Sequence, residues 1–197
     1  MEALIIDSGG ANLASLQFAF ERLGARARVS SDAREIAAAA RVVLPGVGSA
    51  ADAMRRLRGS GMAQLLPNLR QPVLGICLGM QLLFERSGEG STQCLGVIPG
   101  TVRRLAPARG RPVPHMGWNR LAPLRHDPLL EGIEPDEYFY FVHSYAAPVA
   151  EVTVAQVEYG EALSAVVRRQ NFWGTQFHPE RSSAAGARLL ANFLDLS

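Results

Sequence analysis

Short apolar runs alternate with helix-like segments over the first 86 residues of the chain. Apolar runs of strand length occur at residues 3–7, 25–29, 42–44 and 72–76, and turn residues bound them. Several of the segments between them repeat apolar positions every three or four residues, which is typical of an amphipathic helix. This alternation predicts parallel strands whose two faces are covered by helices.

Local signals set the limits of these helices. A short alanine-rich helix is expected after Ser31 or Asp32, because either side chain can cap a helix N-terminus. A longer helical stretch at 50–69 is interrupted by Gly-Ser-Gly at 59–61. The apolar segment 78–84 predicts a helix that follows the fourth strand directly.

The pattern changes to strands and turns in the second half of the chain. Strands are predicted at 137–145, 151–159, 162–169 and 172–177. The chain closes with an amphipathic helix that is expected to begin at Ser182 or Ser183. We therefore predict one α/β domain over residues 1–197, with a mostly parallel central sheet flanked by helices and an added antiparallel strand section.

Composition excludes several classes of function. The chain has 197 residues, 48% of them hydrophobic and 19% charged, which is ordinary for a globular domain. A formal net charge of +2 with scattered basic residues gives no case for nucleic-acid binding, and no apolar run is long enough to span a membrane. The absence of a signal-peptide pattern and the presence of only two cysteines favour a cytoplasmic protein without disulfides. No Cys/His cluster has ligand spacing, so neither a metal nor a cofactor is expected.

One cysteine stands at a predicted strand-to-helix junction. Cys77 is flanked two residues away by Gly75 and Gly79, which is the spacing of a nucleophile elbow. Glycines are needed there because side chains would collide with the neighbouring strand or helix. The helix N-terminus beyond the bend makes the thiol easier to ionise. A buried structural cysteine is the alternative for a lone Cys, and the glycine frame favours a nucleophile.

A base for this thiol is predicted at His178. In extended chain, residues two apart face the same way, so the Glu180 carboxylate can bond one ring nitrogen and leave the other for the thiol. The other histidines have simpler explanations: His126 lies in a polar turn, whereas His115 and His143 are expected to be packed or hydrogen-bonded. A chance His and Glu in a loop is the alternative, and the elbow cysteine makes Cys77, His178 and Glu180 a coherent triad.

Thiolate attack also requires donors for the oxyanion. The N–H of Leu78 is one donor expected from elbow geometry. The loop 45–48, Pro-Gly-Val-Gly, leaves the end of a neighbouring strand, and its glycines allow the N–H of Val47 or Gly48 to turn toward the sulfur. A plain strand-to-helix turn is the alternative reading of that loop.

These motifs resemble those of a known family. Residues 75–81, Gly-Ile-Cys-Leu-Gly-Met-Gln, together with His-Pro-Glu at 178–180, resemble the class I (triad) glutamine amidotransferases. Blocks 114–119 (PHMGWN) and 140–145 (YFVHSY), with the 45–48 loop, are similar to the glutaminase subunits of imidazole glycerol phosphate synthases. The resemblance spans nearly the whole chain and implies a flavodoxin-like α/β fold.

The resemblance implies a reaction and a substrate site. Cys77 would attack the side-chain amide of L-glutamine, and His178, held by Glu180, would protonate the leaving ammonia and then activate water against the thioester. The implied substrate contacts are Gly46, Gln81, Glu89 and backbone groups of His143, Ser144 and Tyr145. For Glu89, which lies in a polar loop, a solvated carboxylate is the alternative.

The resemblance also implies a partner. Ammonia would pass to a TIM-barrel cyclase subunit that forms a heterodimer with this chain and makes imidazole glycerol phosphate and aminoimidazole-carboxamide ribonucleotide in histidine biosynthesis. The residues implied to face the partner and gate the ammonia exit are Asn12, Met116, Trp118, Asn119, Tyr140 and Arg181. The isolated chain would be nearly inactive until the partner, carrying its nucleotide, reorients the 45–48 loop.

Some positions depart from the family pattern. Ser8 and Ala11 replace a usual tyrosine and glycine in the first loop, and Arg181 replaces a usual lysine with a planar, differently bonding group. These changes are expected to alter partner affinity more than catalysis. The sequence leaves three alternative functions open: a glutaminase feeding another synthase, such as that of pyridoxal phosphate synthesis; a cysteine hydrolase of γ-glutamyl peptides; and a non-catalytic binding module.

Overall fold

An eight-stranded sheet forms the centre of the computed structural model, which describes residues 1–7, 9 and 13–196. The strands in chain order are β1 (Glu2–Ile6), β2 (Arg26–Ser30), β3 (Val42–Gly46), β4 (Val73–Cys77), β5 (Phe84–Ser87), β6 (Thr92–Gln93), β7 (Ile98–Arg104), β8 (His115–Arg120), β9 (Ala122–Pro123), β10 (Tyr138–His143), β11 (Tyr145–Ala146), β12 (Thr153–Glu158), β13 (Ala162–Arg169) and β14 (Phe172–Thr175). The central sheet has the order β2-β1-β3-β4-β14-β13-β12-β9. Its first five strands are parallel and the last three add on in antiparallel fashion, which confirms the predicted mostly parallel sheet with an antiparallel section.

Two smaller sheets accompany the central one. Strands β8 and β10 pair with each other in an antiparallel ribbon, and β11, β7, β5 and β6 form a four-stranded sheet. The helices are α1 (Leu13–Arg22), α2 (Ala33–Ala38), α3 (Ala50–Gly59), α4 (Met62–Leu65), α5 (Leu78–Leu82) and α6 (Ser183–Asp195). Helices α1 and α6 pack into one apolar cluster with the ribbon, whereas α2 to α5 contribute to a second. Helices therefore cover both faces, as the alternating pattern predicts.

Three helix limits test the sequence signals directly. Asp32 is the residue that caps α2, because its carboxylate accepts the N–H groups of Arg34 and Glu35. The predicted break at 59–61 is present, since α3 ends at Gly59 and α4 follows after Gly61 in left-handed conformation. Ser182 precedes α6, but its hydroxyl makes no bond to the helix and bonds elsewhere.

Long-range strand pairing changes the limits of two predicted elements. The helix expected over 78–84 ends at Leu82, because Phe84 begins β5 and pairs with Ile98 of β7. The strand expected over 137–145 divides into β10 and β11, which pair with different partners, β8 and β7. In both cases a long-range pairing, which local periodicity does not contain, decides where the element stops.

Strand β4 and helix α5 approach each other very closely at their junction. A Cβ on Gly75 would lie 2.8 Å from backbone atoms of Gly79 and Met80. A Cβ on Gly79 would overlap the carbonyl oxygen of Leu44 in β3. The helix can therefore leave the sheet at once only because both positions lack side chains.

We expect Gly79→Ala to lower the free energy of unfolding by about 3 kcal/mol, because backbone must move to accept the methyl group. Gly59→Ala is the matched control, since nothing lies within 4 Å of its Cβ position and the residue is helical. It should stay within about 1 kcal/mol of the wild type, on the stable side. Denaturant unfolding of both variants checks this, and equal stabilities would contradict the described crossing.

Candidate active site

Cys77 occupies a strained bend at the end of β4. Its backbone angles are φ 52° and ψ −110°, a combination that residues other than glycine rarely adopt. Helix α5 begins at the next residue. The residue is 8% exposed. The sulfur lies 3.8 Å from the carbonyl oxygen of Val142 and 3.8 Å from Nε2 of Gln176. This is the elbow geometry that the glycine spacing predicts.

His178 and Glu180 form a nearly buried ion-pair-like contact. The ring Nδ1 lies 2.8 Å from Glu180 Oε1, and the two side chains are only 12% and 10% exposed. Because a carboxylate accepts, Nδ1 carries the hydrogen and Nε2 is left available for a thiol proton. The i, i+2 argument from the sequence therefore describes the contact that the structure contains.

The environment of His178 favours its protonated form. Burial opposes the charge, but the interactions of the ring with the Cys77 side chain and with Glu180 outweigh burial and raise the pKa of His178 to about 10. A proton taken by this ring is thus strongly held by its neighbours. The arrangement suits a histidine that receives the proton of a nucleophilic thiol.

Strand β10 fixes the backbone around this histidine. The N–H of His178 donates to the Tyr140 carbonyl at 2.9 Å. The Ser182 hydroxyl donates to the His178 carbonyl at 2.6 Å and accepts the N–H of Tyr140 at 3.0 Å. Ser182, predicted as a helix cap, therefore ties the base to the ribbon instead.

A cleft of about 350 Å³ opens over the sulfur. It is lined by Gly46, Val47, Gly48, Cys77, Leu78, Gln81, Glu89, Pro114, Val142, His143, Ser144, Tyr145 and His178. The predicted nucleophile, base, oxyanion residues and substrate contacts thus lie around one space. Glu180 stands behind His178 and lines a second cavity of about 200 Å³.

Two polar side chains of the cleft already have partners. Gln81 donates through Nε2 to the Tyr145 carbonyl at 2.8 Å and to Gln176 Oε1 at 3.0 Å. Glu89 Oε2 accepts the N–H of Ala50, the first residue of α3, at 2.7 Å. Glu89 is therefore a structural acceptor as well as a wall of the cleft, rather than a carboxylate in free solvent.

The predicted partner-facing residues fall in several environments. Met116 and Trp118 are 66% and 51% exposed on β8, and Trp118 contacts Tyr140 edge-on at 5.8 Å between ring centroids. Asn119 is hydrogen-bonded through Nδ2 to the Glu158 carbonyl. Arg181 lines the second cavity. The first-loop positions singled out in the sequence, namely Ser8, Ala11 and Asn12, lie outside the described residues.

Sequence reasoning missed Gln176. This residue is fully buried, and its Nε2 contacts the Cys77 sulfur. The signal was available, because the alternation that pairs His178 with Glu180 also puts Gln176 on the same side as His178. His115 and His143 are packed and hydrogen-bonded, as expected, but the sequence does not predict that they bond each other, His115 Nδ1 lying 3.1 Å from His143 Nε2.

Comparison with known proteins identifies close relatives. Residues 4–196 match the family model described as glutamine amidotransferase class-I. The imidazole glycerol phosphate synthase subunit HisH of Xanthomonas campestris pv. campestris is 54% identical over 193 residues, which cover 98% of this chain and 96% of that protein. The subunit of the same name from Xylella fastidiosa is 53% identical, covering 99% and 98% of the two chains.

Solved structures support the fold. A crystal structure of a glutamine amidotransferase superposes with a TM-score of 0.75 at 20% identity, covering 98% of this chain and 97% of that one. The PurLQS structure from Thermotoga maritima gives a TM-score of 0.73 at 19% identity, with coverages of 98% and 97%. At these identities the likeness concerns architecture.

The buried pair His115 and His143 predicts how the free energy of unfolding changes at acidic pH. Burial lowers the pKa of His115 to about 4, and burial, the neighbouring His115 and His178 lower that of His143 to about 3. The unfolded chain therefore takes up protons below its ordinary histidine pKa while the folded chain does not, so stability falls as pH drops from about 6.5 toward 4. Each such histidine contributes a slope of about 1 kcal/mol per pH unit.

We expect His115→Asn to flatten the dependence of the unfolding free energy on pH between 5 and 7 by about that amount. His126→Asn is the control, because its side chain is 82% exposed beside Glu131. Denaturant titrations at several pH values measure both slopes. Identical slopes for the two variants would contradict a neutral, buried His115.

Proposed function

The chain belongs to the class-I glutamine amidotransferase family, and we propose that it is the glutamine-hydrolysing subunit of an imidazole glycerol phosphate synthase, acting in histidine biosynthesis. The observation that carries the mechanism is the convergence of Cys77, with its strained backbone, and the His178–Glu180 pair at one cleft. The identity of 54% over almost the whole length of a HisH subunit supports the choice of synthase.

In the first half-reaction the Cys77 sulfur attacks the side-chain amide carbon of glutamine. His178 Nε2 takes the thiol proton, and Glu180 stabilises the resulting imidazolium through Nδ1. The carbonyl oxygen becomes an oxyanion, which the N–H of Leu78 and an N–H of Val47 or Gly48 stabilise. His178 then returns the proton to the amide nitrogen, the C–N bond breaks, ammonia leaves, and a thioester remains on Cys77.

In the second half-reaction His178 removes a proton from water, and the hydroxide attacks the thioester carbon. Collapse of that intermediate breaks the C–S bond, releases glutamate and returns the proton to the sulfur. The amino-acid end of the substrate is proposed to lie against Gln81, Glu89 and residues 143–145, which line the same cleft as Cys77 and His178. Gly46 forms the floor next to the sulfur, since it is the register partner of Cys77.

The second cavity offers ammonia a way out. It shares Gly46, Val47, Val142 and His178 with the substrate cleft, so the leaving nitrogen is next to both spaces. Most of its lining is apolar, which favours neutral ammonia over ammonium because burying an unpaired charge is costly. Arg181 stands at this cavity and is proposed, with Asn12, to border the exit.

We propose a TIM-barrel cyclase as the partner that receives this ammonia in a heterodimer. The ribbon of β8 and β10 presents Met116 and Trp118 to the outside, and exposed large apolar side chains on one element are typical of a protein contact. Asn119 and Tyr140 lie on the same ribbon. We also propose one domain over residues 1–197 and a cytoplasmic location; no described helix is long and apolar enough to cross a membrane.

Cys77→Ala should reduce glutamine hydrolysis at least about a thousandfold, because the attacking atom is lost. Cys94→Ala is the matched control: Cys94 is the second buried thiol, burial raises its pKa to about 11, and it lies outside the cleft. Glutamate release is measured with and without the cyclase and its nucleotide. Both variants should still bind the cyclase. Hydrolysis that survives Cys77→Ala would overturn the proposed function.

Trp118→Ala should weaken cyclase binding about tenfold, since a large exposed aromatic side chain at an interface centre is a common hot spot. Leu124→Ala is the comparison, because Leu124 is similarly exposed (48% against 51%) but lies beyond the ribbon. Titration of the labelled chain with cyclase gives both dissociation constants. If Leu124→Ala weakens binding and Trp118→Ala does not, the proposed interface is wrong.

A further inference from the structure

A series of buried polar groups runs from His115 to the nucleophile. The links are His115 Nδ1 to His143 Nε2 (3.1 Å), His143 Nδ1 to the Tyr145 carbonyl (2.9 Å), Gln81 Nε2 to that carbonyl (2.8 Å), Gln81 Nε2 to Gln176 Oε1 (3.0 Å) and Gln176 Nε2 to Cys77 Sγ (3.8 Å). The four polar side chains before the sulfur are all at most 5% exposed. A buried polar group without a hydrogen-bond partner is costly. Each donor in this series must therefore face an acceptor, which gives every bond a defined direction.

The Tyr145 carbonyl fixes the direction of the histidine bonds. A carbonyl oxygen only accepts, so His143 must carry its hydrogen on Nδ1. The neutral ring then accepts at Nε2, and His115 must donate from its own Nδ1. Burial disfavours the charged form of both rings and holds their pKa values well below the ordinary range, so this assignment persists at neutral pH.

The same carbonyl fixes the two glutamine amides. Gln81 must turn its nitrogen toward Tyr145, and the second hydrogen of that nitrogen reaches Gln176 Oε1. With its oxygen engaged, Gln176 turns its own nitrogen to the Cys77 sulfur. Gln81 Oε1 takes part in neither of these bonds, so it is the atom of this side chain that can accept from a substrate ammonium.

A donor beside the sulfur acts differently on the two forms of Cys77. The neutral thiol can donate to the Val142 carbonyl, 3.8 Å away, whereas the thiolate can only accept. The N–H of Gln176 therefore stabilises the thiolate more than the thiol, because a hydrogen bond to an ionised acceptor is about twice as strong as a neutral one. The thiolate is the reactive form.

We propose that Gln176 is an additional catalytic residue that holds the Cys77 thiolate by an N–H···S bond, and that His115 is a positioning residue that orients it through His143, Tyr145 and Gln81. The proposal deepens the glutaminase function and rests on it for the identity of the substrate. It concerns the nucleophile before substrate arrives, so it has a readout that needs no glutamine.

The test measures the pH dependence of Cys77 alkylation by iodoacetamide in a Cys94→Ala background, on the chain alone and in its complex with the cyclase. Gln176→Met keeps the length of the side chain without the donor. The midpoint of its alkylation profile should lie about one pH unit higher, so its alkylation rate at pH values below the wild-type midpoint should fall about tenfold. Gln156→Met, on β12 outside the cleft, is the matched control and should follow the wild type. A Gln176→Met profile that superposes on the wild type would overturn the proposal.

The positioning role of His115 has a separate test that leaves the residues in contact with the sulfur unchanged. His115→Asn and His115→Leu remove the same ring and its stacking on Phe141 and Tyr159, but only asparagine keeps a donor near the position of Nδ1. The leucine variant should shift the alkylation profile upward, and asparagine should restore most of the shift. Equal profiles for the two would show that His115 has no positioning role. If Gln176→Met does not fold, the leucine variant decides: a profile equal to that of the wild type would overturn the proposal, because the proposal has His115 orient the Gln176 donor through this series.

Glutamine hydrolysis measured on the same proteins distinguishes a failure of this inference from a failure of the proposed function. At pH values below the wild-type midpoint of the alkylation profile, Gln176→Met should lower kcat about tenfold, because a smaller fraction of Cys77 is then thiolate. If the wild-type complex hydrolyses glutamine but the Gln176→Met profile is unchanged, the inference fails and the function stands. If the profile shifts but no wild-type complex hydrolyses glutamine, the function fails and the N–H···S bond remains.

Discussion

The bend at Cys77 is the constraint on which the site depends. A positive φ at a residue with a side chain is tolerated only where the surroundings enforce it, and here β3, β4 and α5 cross without room for a methyl group at Gly75 or Gly79. The packing of the surrounding core therefore stabilises the strained backbone conformation of Cys77. The strain leaves the sulfur outside the sheet, between a carbonyl, an amide and an imidazole.

The parallel order of β3, β4 and β14 brings the remaining groups to the same edge. Gly46 is level with Cys77, and Thr175 is level with Ile76, so the three chains leave the sheet side by side. Strand β3 leads into the loop of Val47 and Gly48. Strand β4 ends at the nucleophile, and β14 leads into the segment that carries His178. Groups separated by about a hundred positions therefore meet because parallel strands end together, as is usual for sites in α/β sheets.

Much of this was readable in the sequence, and the exceptions share one cause. Local spacing was sufficient for the elbow at Cys77 and for the contact of His178 with Glu180, since each depends on neighbours within a few residues. The helix expected to reach Phe84 is shorter because β5 pairs with β7, and the bond between His115 and His143 exists only through the register of β8 against β10. Gln176 lay within reach of the same alternation argument but has no partner nearby in sequence, because Gln81 and Cys77 approach it across the sheet. Pairing register is a tertiary property, and local patterns do not contain it.

Strand β10 has a further consequence. Its Tyr140 carbonyl holds the backbone of the base, its Val142 carbonyl stands over the sulfur, and its terminal His143 belongs to the polar series, while its pairing partner β8 carries the exposed Met116 and Trp118. The outer surface and the reaction centre are therefore joined by the same two-stranded ribbon. A small shift of β10 would therefore move the backbone contact of His178, the carbonyl beside the Cys77 sulfur and the His143 side of the cleft at the same time. Binding at the outer surface of the ribbon would act on the reaction centre through this one strand.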